Sequence, residues 1–280
     1  MKFRYLAGYC ASFLALYRKI QFFWGEINDF GCVRVLIYHN IPENKIAHFK
    51  RQICYLASIY HFLTPFQFEE FVQGRYSCSG INLLLTFDDG FKSNRIVEEK
   101  VLKPLNIKGI FFVPTEFIDL RDVNKQKKFV VQQIYKGDAN NSEITSDMEP
   151  LTWEDLEYLL SQGHVIGSHS RTHKCLSLAN PQDELHNEIV ESGNILEKKL
   201  GVPIPYFAYP FGDIDSISKY AMDLIKERYK YCFSGIRGAN YFPVSNYAIL
   251  RDSISTDASL QYIRLIMESG LDIIYRRKMR

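Results

Sequence analysis

The chain has 280 residues, 46% of them hydrophobic and 14% aromatic, enough to bury one sizeable core. Its 34 Lys and Arg face 32 Asp and Glu, a net charge of +2, and no basic stripe interleaved with aromatics accompanies them, so nucleic acid is not an expected partner. Six cysteines at 10, 32, 54, 78, 175 and 232 form no CxxC pair, which argues against a zinc ribbon or a disulfide framework.

Residues 1–30 open the chain with an amphipathic helical segment: Phe3, Leu6, Ala7, Cys10, Phe13, Leu14 and Tyr17 follow helical spacing, with Lys2, Arg4, Arg18 and Lys19 at the two ends. The apolar stretch from Tyr5 to Tyr17 is shorter than the roughly 20 residues a span requires, and no small-residue cleavage site follows it. A peripheral contact with a membrane surface through residues 1–24 is one expectation, and packing onto the rest of the protein is the other. The chain is accordingly expected in the bacterial cytoplasm or at the inner membrane, with export left open.

From 31 to 260 the sequence reads as one domain. Apolar runs at 33–38, 81–87, 107–113, 164–168, 206–209, 229–233 and 248–254 alternate with helical patterns, which predicts parallel strands joined by crossover helices. The first run ends at His39. The second ends in Thr86-Phe87-Asp88-Asp89-Gly90, two carboxylates at a strand's C-terminal end with a glycine exit. Neighbouring residues on an extended strand point opposite ways, so Asp88 and Asp89 suit different roles unless the chain has already bent.

Residues 119–150 are polar and poor in pattern, an insertion over the site or a mobile loop. Thr152 and Asp155 then form a capping box ahead of Leu156, Leu159 and Leu160, with Gly163 as the stop. Beyond the run at 164–168, His169 and His173 stand four apart, which in a coiled segment brings their Cβ atoms to about 5–6 Å and within the span of one metal ion. A further helix is expected to start at Asn180-Pro181, carry Leu185, Ile189, Ile195, Leu196 and Leu200, and end at Gly201. Residues 261–280 read as a C-terminal helix and basic tail. Two imidazoles and two carboxylates supply three ligands for a divalent ion and leave one acid for proton transfer. Cys175, two residues past His173, is read as a packed thiol rather than a ligand.

Thr86-Phe87-Asp88-Asp89-Gly90, His169-Ser170-Arg171-Thr172-His173 and Tyr206-Phe207-Ala208-Tyr209-Pro210-Phe211-Gly212 resemble, in order, the first three motifs of the NodB-type polysaccharide deacetylases, carbohydrate esterase family four. Flanking segments are similar too: Val35 to His39, Lys108 to Thr115 and Leu151 to Leu156. The resemblance spans roughly residues 33 to 255 and implies a distorted (β/α) barrel of about seven parallel strands. It implies Asp89, His169 and His173 as metal ligands, Zn2+ first among the candidates, and Asp88 as general base. It also implies an acetyl pocket shaped by Tyr209 and Pro210, with the Phe211 backbone N–H in the oxyanion site.

Two departures stand out. Ala208 occupies the place of an arginine that braces the catalytic aspartate in better-known members, and no histidine follows His186 to act as the late general acid. Arg251 or Asp252 is available electrostatically, although a surface ion pair explains them more cheaply. His39, at the end of its strand, is the remaining imidazole directed at the mouth, either as proton donor to the leaving amine or as the hydrogen bond that holds Asp88. The expected function is metal-dependent removal of N-acetyl groups from a hexosamine-containing polysaccharide or glycolipid intermediate in cell-surface polysaccharide biosynthesis. O-acetyl ester hydrolysis on a glycan and a catalytically silent carbohydrate-binding relative are the alternatives.

Overall fold

A computed structural model describes residues 31–137, 144–179 and 183–272. The predicted helix over residues 1–30, the helix start at Asn180-Pro181 and the end of the basic tail lie outside the described residues. Among the described residues, nine strands form one sheet: β1 (Cys32–Tyr38), β2 (His61–Phe62), β3 (Ile81–Phe87), β4 (Gly109–Val113), β5 (Val165–Ser168), β6 (Tyr206–Ala208), β7 (Tyr231–Phe233), β8 (Asn240–Tyr241) and β9 (Arg251–Ser253). The order β7-β6-β5-β4-β3-β1 is parallel throughout, and β9 joins the other side of β1 in parallel. Just before β9, Ile249 makes a parallel bridge back to Phe233 of β7. Seven parallel strands therefore form a nearly closed barrel, with the segment 249–253 as the seam.

All seven expected apolar runs became strands of this barrel, with ends within two residues of those expected except at the last, where only Arg251–Ser253 pairs as a strand. Two further strands were not expected. β2 runs beside β3, and β8 pairs antiparallel with the start of β1; each has two residues, too few to show a period in the sequence.

Alternation along the strands sorts the barrel into two cores. Val33, Val35, Leu84, Ile110, Phe112, Ala208 and Phe233 pack in an inner cluster, into which the helix Pro65–Val72 inserts Phe68 and Phe71. Leu36, Leu83, Leu85, Phe87, Phe111, Ile166 and Phe207 face outward to meet the helices Ile46–Ala57, Trp153–Ser161 and Lys219–Arg228 through Phe49, Ile53, Leu156 and Ile225. The helix at Trp153 begins as its sequence dictates: Thr152 accepts from the Asp155 N–H at 3.2 Å, and the Asp155 carboxylate accepts from the Thr152 N–H at 3.0 Å. Asp183–His186, Asn187–Glu191 and Ser192–Leu200 run on as one helical stretch, stopped at left-handed Gly201 with φ +67°.

The reading of 119–150 as patternless is corrected in part. Asp122 caps a helix Val123–Phe129 by accepting from Lys125 N–H at 2.9 Å, and a π-helical stretch Val130–Ile134 continues it. Phe129, Val130, Ile134 and Ile144 form a small third core with Phe91 and Phe117. This core took its apolar partners from the loop after β3 and from the short helix Thr115–Asp119 after β4, so no local period announced it. Among the described residues, no helix is long and apolar enough to cross a membrane.

Candidate metal centre and cleft

The loops at the C-terminal ends of β1, β3, β5, β6 and β9 enclose a cleft of about 410 Å³, lined by His39, Asp88, Asp89, His169, His173, Tyr209, Phe211 and Arg251 and walled by Ile134 and Tyr135. Asp88 continues the inward parity of Leu84 and Thr86, and its N–H donates to Tyr38 O at 2.9 Å, so the β1–β3 ladder carries it to the mouth. The chain then turns sharply: Asp89 has φ +71° and Gly90 φ +69°. That left-handed step lets two consecutive carboxylates enter the same cleft, which a straight strand forbids.

His169 and His173 reach the cleft without a helix, contrary to the coiled geometry considered for their spacing. Their segment is a loop in which Ser170 (φ +63°) and His173 (φ +60°) are left-handed. The two rings lie 5.0 Å apart between centroids. Each Nδ1 faces a backbone carbonyl, His169 to Ala208 O at 2.6 Å and His173 to Gln133 O at 3.0 Å. A carbonyl only accepts, so both Nδ1 atoms carry the proton and both Nε2 atoms turn toward Asp89 Oδ1, at 3.5 and 3.2 Å. The ligand atoms of Asp89, His169 and His173 all lie within 4.8 Å of one another, and all three residues are buried. Two imidazoles and one carboxylate with locked tautomers fit a divalent ion with an open position. Burial alone would raise Asp89, yet the adjacent imidazoles of His169 and His173, and then His39, hold it well below the usual carboxylate range. Burial would likewise lower His169, but Asp88 and Asp89 raise it above its ordinary value.

Arg251 supplies what Ala208 lacks. From β9 its Nη1 and Nη2 donate to the two Asp88 oxygens at 2.8 Å each, Nη1 also reaches Thr86 Oγ1 at 3.3 Å, and Nε donates to Ser234 O at 2.6 Å. This is a two-pronged, buried pair, not the surface contact considered from sequence; Arg251 is 1% exposed. Burial pushes Asp88 up, but Arg251 and then His169 bring it below its ordinary value, so it is held as a carboxylate. Asp252, next along β9, points the other way and pairs with Arg34 at 2.7 Å and Arg237 at 3.5 Å, outside the cleft.

His39 stands exposed at the rim, its carbonyl accepting from Asn94 Nδ2 at 2.9 Å. The bonds that orient Asp88 come from Arg251, not from His39, which leaves the imidazole as a group of the cleft mouth. Tyr209 and Phe211 line the cleft, while Pro210 between them is buried. Phe211 is left-handed (φ +66°), packs edge-on to His173 with centroids 4.9 Å apart, and carries Lys136 Nζ over its ring at 3.5 Å. Cys175 lies outside the ligand trio, against Ser177 Oγ at 3.4 Å and Ser216 O at 3.7 Å. Sequence reasoning missed Gln133 and Tyr135. Gln133 acts through its carbonyl, which no side-chain motif records, and Tyr135 follows the end of the helical stretch that showed no pattern.

The family model described as polysaccharide deacetylase matches residues 78–228, just over half of the chain and both halves of the metal site. A peptidoglycan-N-acetylglucosamine deacetylase of Bacillus cereus is 28% identical over 209 residues, which is 71% of this chain and 61% of that relative's length. The fold is similar to that of the Streptococcus pyogenes deacetylase PplD in complex with acetate, with a TM-score of 0.64 at 20% identity over 84% of this chain and 98% of the other. IcaB from Ammonifex degensii gives the same TM-score, 0.64, and identity, 20%, over 85% and 97% of the two chains. The motifs, the barrel and the family match agree: the chain belongs to the polysaccharide deacetylase family.

Proposed function

We propose that this protein hydrolyses the N-acetyl group of a hexosamine within a glycan or glycolipid, with Asp88 as general base. The observation that carries the reading is the buried Arg251–Asp88 pair beside the trio Asp89, His169 and His173. The trio would hold a divalent ion, Zn2+ first by its donor set, and such an ion when bound lowers the pKa of water and polarises a carbonyl. Asp88, kept ionised by Arg251, accepts the proton of the attacking water. Arg251 holds both carboxylate oxygens, so the base cannot rotate away and its geometry is set before substrate arrives. Tyr209 and Phe211 wall the acetyl methyl, and the Phe211 backbone N–H is assigned to the developing oxyanion. His39, at the rim, is assigned the proton for the leaving amine.

A second cavity of about 650 Å³ adjoins the cleft at Gly235, with Ser177, Asp213 and Asp215 among its polar lining and Leu178 and Ile214 on its wall. Space for sugar units beyond the one being deacetylated supports an oligomeric substrate, and the name of the Bacillus cereus relative supports N-acetylglucosamine as the unit. The test is acetate release by metal-loaded protein from N-acetylated and O-acetylated sugars of increasing chain length. Release from N-acetylhexosamine oligomers that rises with length, and is abolished in Asp88→Asn, is the expected result. Release confined to O-acetyl esters would replace the reading, and release from none of them would favour a silent sugar-binding protein.

A further inference from the structure

The loop that presents the two imidazoles is built in an unfavourable backbone conformation. Ser170 and His173 are both left-handed without being glycine, and such residues persist only where surroundings over-determine them. Part of the restraint is local, since the His173 N–H donates to Ser170 Oγ at 3.0 Å. The rest comes from a carboxylate fifteen residues on. Glu188, from the π-helical turn Asn187–Glu191, accepts from the Arg171 N–H at 3.1 Å and the Thr172 N–H at 2.9 Å on Oε2, and from Thr172 Oγ1 at 2.6 Å on Oε1.

Glu188 is 2% exposed. The Arg171 guanidinium does not engage it, binding Asn187 Oδ1 and lying 3.7 Å from Glu116. Among the described residues the hydrogen-bond donors to this buried carboxylate all come from one loop, and burying it costs desolvation that those bonds offset. Bonds to a charged acceptor are also roughly twice as strong as neutral ones. Both bonded residues lie between His169 and His173.

We propose that Glu188 is the positioning residue of the metal site: its carboxylate clamps the backbone at Arg171 and Thr172 and so holds the His169 and His173 imidazoles in register on Asp89. The proposal rests on those three residues being the ligands, and it concerns metal affinity rather than the reaction. Glutamine has the length of glutamate but half its accepting capacity, so Glu188→Gln turns an amide N–H toward a donor of the loop. Thr172→Val removes one of the three bonds and leaves the backbone contacts in place.

The test is Zn2+ affinity of the metal-stripped full chain, by competition with a chromophoric chelator, with circular dichroism and melting of the stripped and loaded forms. Glu188→Gln is expected to bind Zn2+ about 10–100-fold more weakly, the range for groups that orient metal ligands, with Thr172→Val weakened less and both keeping the wild-type spectrum. A purely structural role would lower the melting temperature of the stripped and loaded forms alike and leave the affinity in place. Wild-type affinity in a folded Glu188→Gln overturns the proposal; if that variant does not fold, wild-type affinity in Thr172→Val overturns it. A wild-type chain that takes up no stoichiometric Zn2+ overturns the ligand set, and this proposal with it.

Discussion

In the proposed reaction, Asp88 and Arg251 divide one task between two distant positions. Removing the Asp88 carboxylate while keeping its shape tests the base alone: Asp88→Asn is expected to lose about 10²–10⁴-fold in kcat while elemental analysis finds the metal content of the wild type. Arg251→Met strands a buried carboxylate, and breaking such a pair costs about 3–5 kcal/mol, readable as a fall in the urea midpoint. Arg251→Lys keeps the charge but not the planar fork, so it is expected to retain more stability than Arg251→Met and still lose most turnover. Turnover near wild type in Arg251→Lys would show that charge, not the two-pronged geometry, is what Asp88 needs. A different acid–base prediction concerns His164 at the opposite end of the barrel. It is buried and accepts from the Gly109 N–H at 3.1 Å, with Glu98 3.6 Å from Nε2, Arg95 3.9 Å from Glu98 and Lys108 nearby. Burial first, and Lys108 second, push its imidazole down from 6.5 to about 4. The unfolded chain then binds the extra proton between those values and the folded chain does not, so stability falls as pH drops from 6.5 toward 4, by about 3 kcal/mol at most from this residue. Chemical denaturation of wild type and His164→Gln at pH 7 and pH 5 checks the sign. A smaller pH loss in the variant is expected, and a larger one would mean that His164 and Glu98 ionise together.

At the scale of elements, the helix Val123–Phe129 with its continuation to Ile134 connects a small separate core to the metal site. Phe129 stacks on Phe117 with centroids 4.9 Å apart, and four residues later the Gln133 carbonyl holds His173. Phe129→Ala is expected to cost about 3–5 kcal/mol through the cavity it leaves and to weaken metal binding as well. Unchanged affinity in a destabilised variant would show that the helix end keeps its place without the core beneath it. The elements differ in how far the sequence announced them. β4 is a continuous apolar run, and β1 and β3 are apolar apart from Arg34, Asn82 and Thr86, because both faces of these strands are buried, and the helix at Trp153 carries its cap in its own residues. The insertion helix showed nothing comparable, since the ring that Phe129 packs against belongs to the short helix Thr115–Asp119 after β4. The His169–His173 loop was legible as a pair of ligands but not as a shape, because its left-handed residues are non-glycine and are held by Glu188 from another element.

For the molecule as a whole, closure of the barrel is the consequential event. Ile249 bridges to β7 while Arg251–Ser253 pair with β1, and this seam brings a side chain 163 residues from Asp88 into the cleft beside the Asp89, His169 and His173 trio. Residues 1–24, with their basic-flanked apolar stretch, carry two expectations, contact with a membrane surface and packing onto the rest of the protein, and vesicle binding separates them. Partitioning to anionic vesicles that high salt reverses and that deletion of 1–24 abolishes is the expected outcome, and partitioning that survives the deletion would remove the segment as a membrane contact. The sequence by itself determined the seven barrel strands and two of the outer helices, and it singled out Asp88, Asp89, His169 and His173, which the fold gathers in one cleft, because each is written in short-range pattern: burial of runs, capping chemistry and spacing after a strand end. Only the tertiary structure decided what braces the base, which carbonyls fix the imidazole tautomers and how two adjacent aspartates share one cleft. Those outcomes depend on pairings between residues far apart in the chain and on backbone turns imposed by their surroundings, and neither leaves a local trace in one sequence.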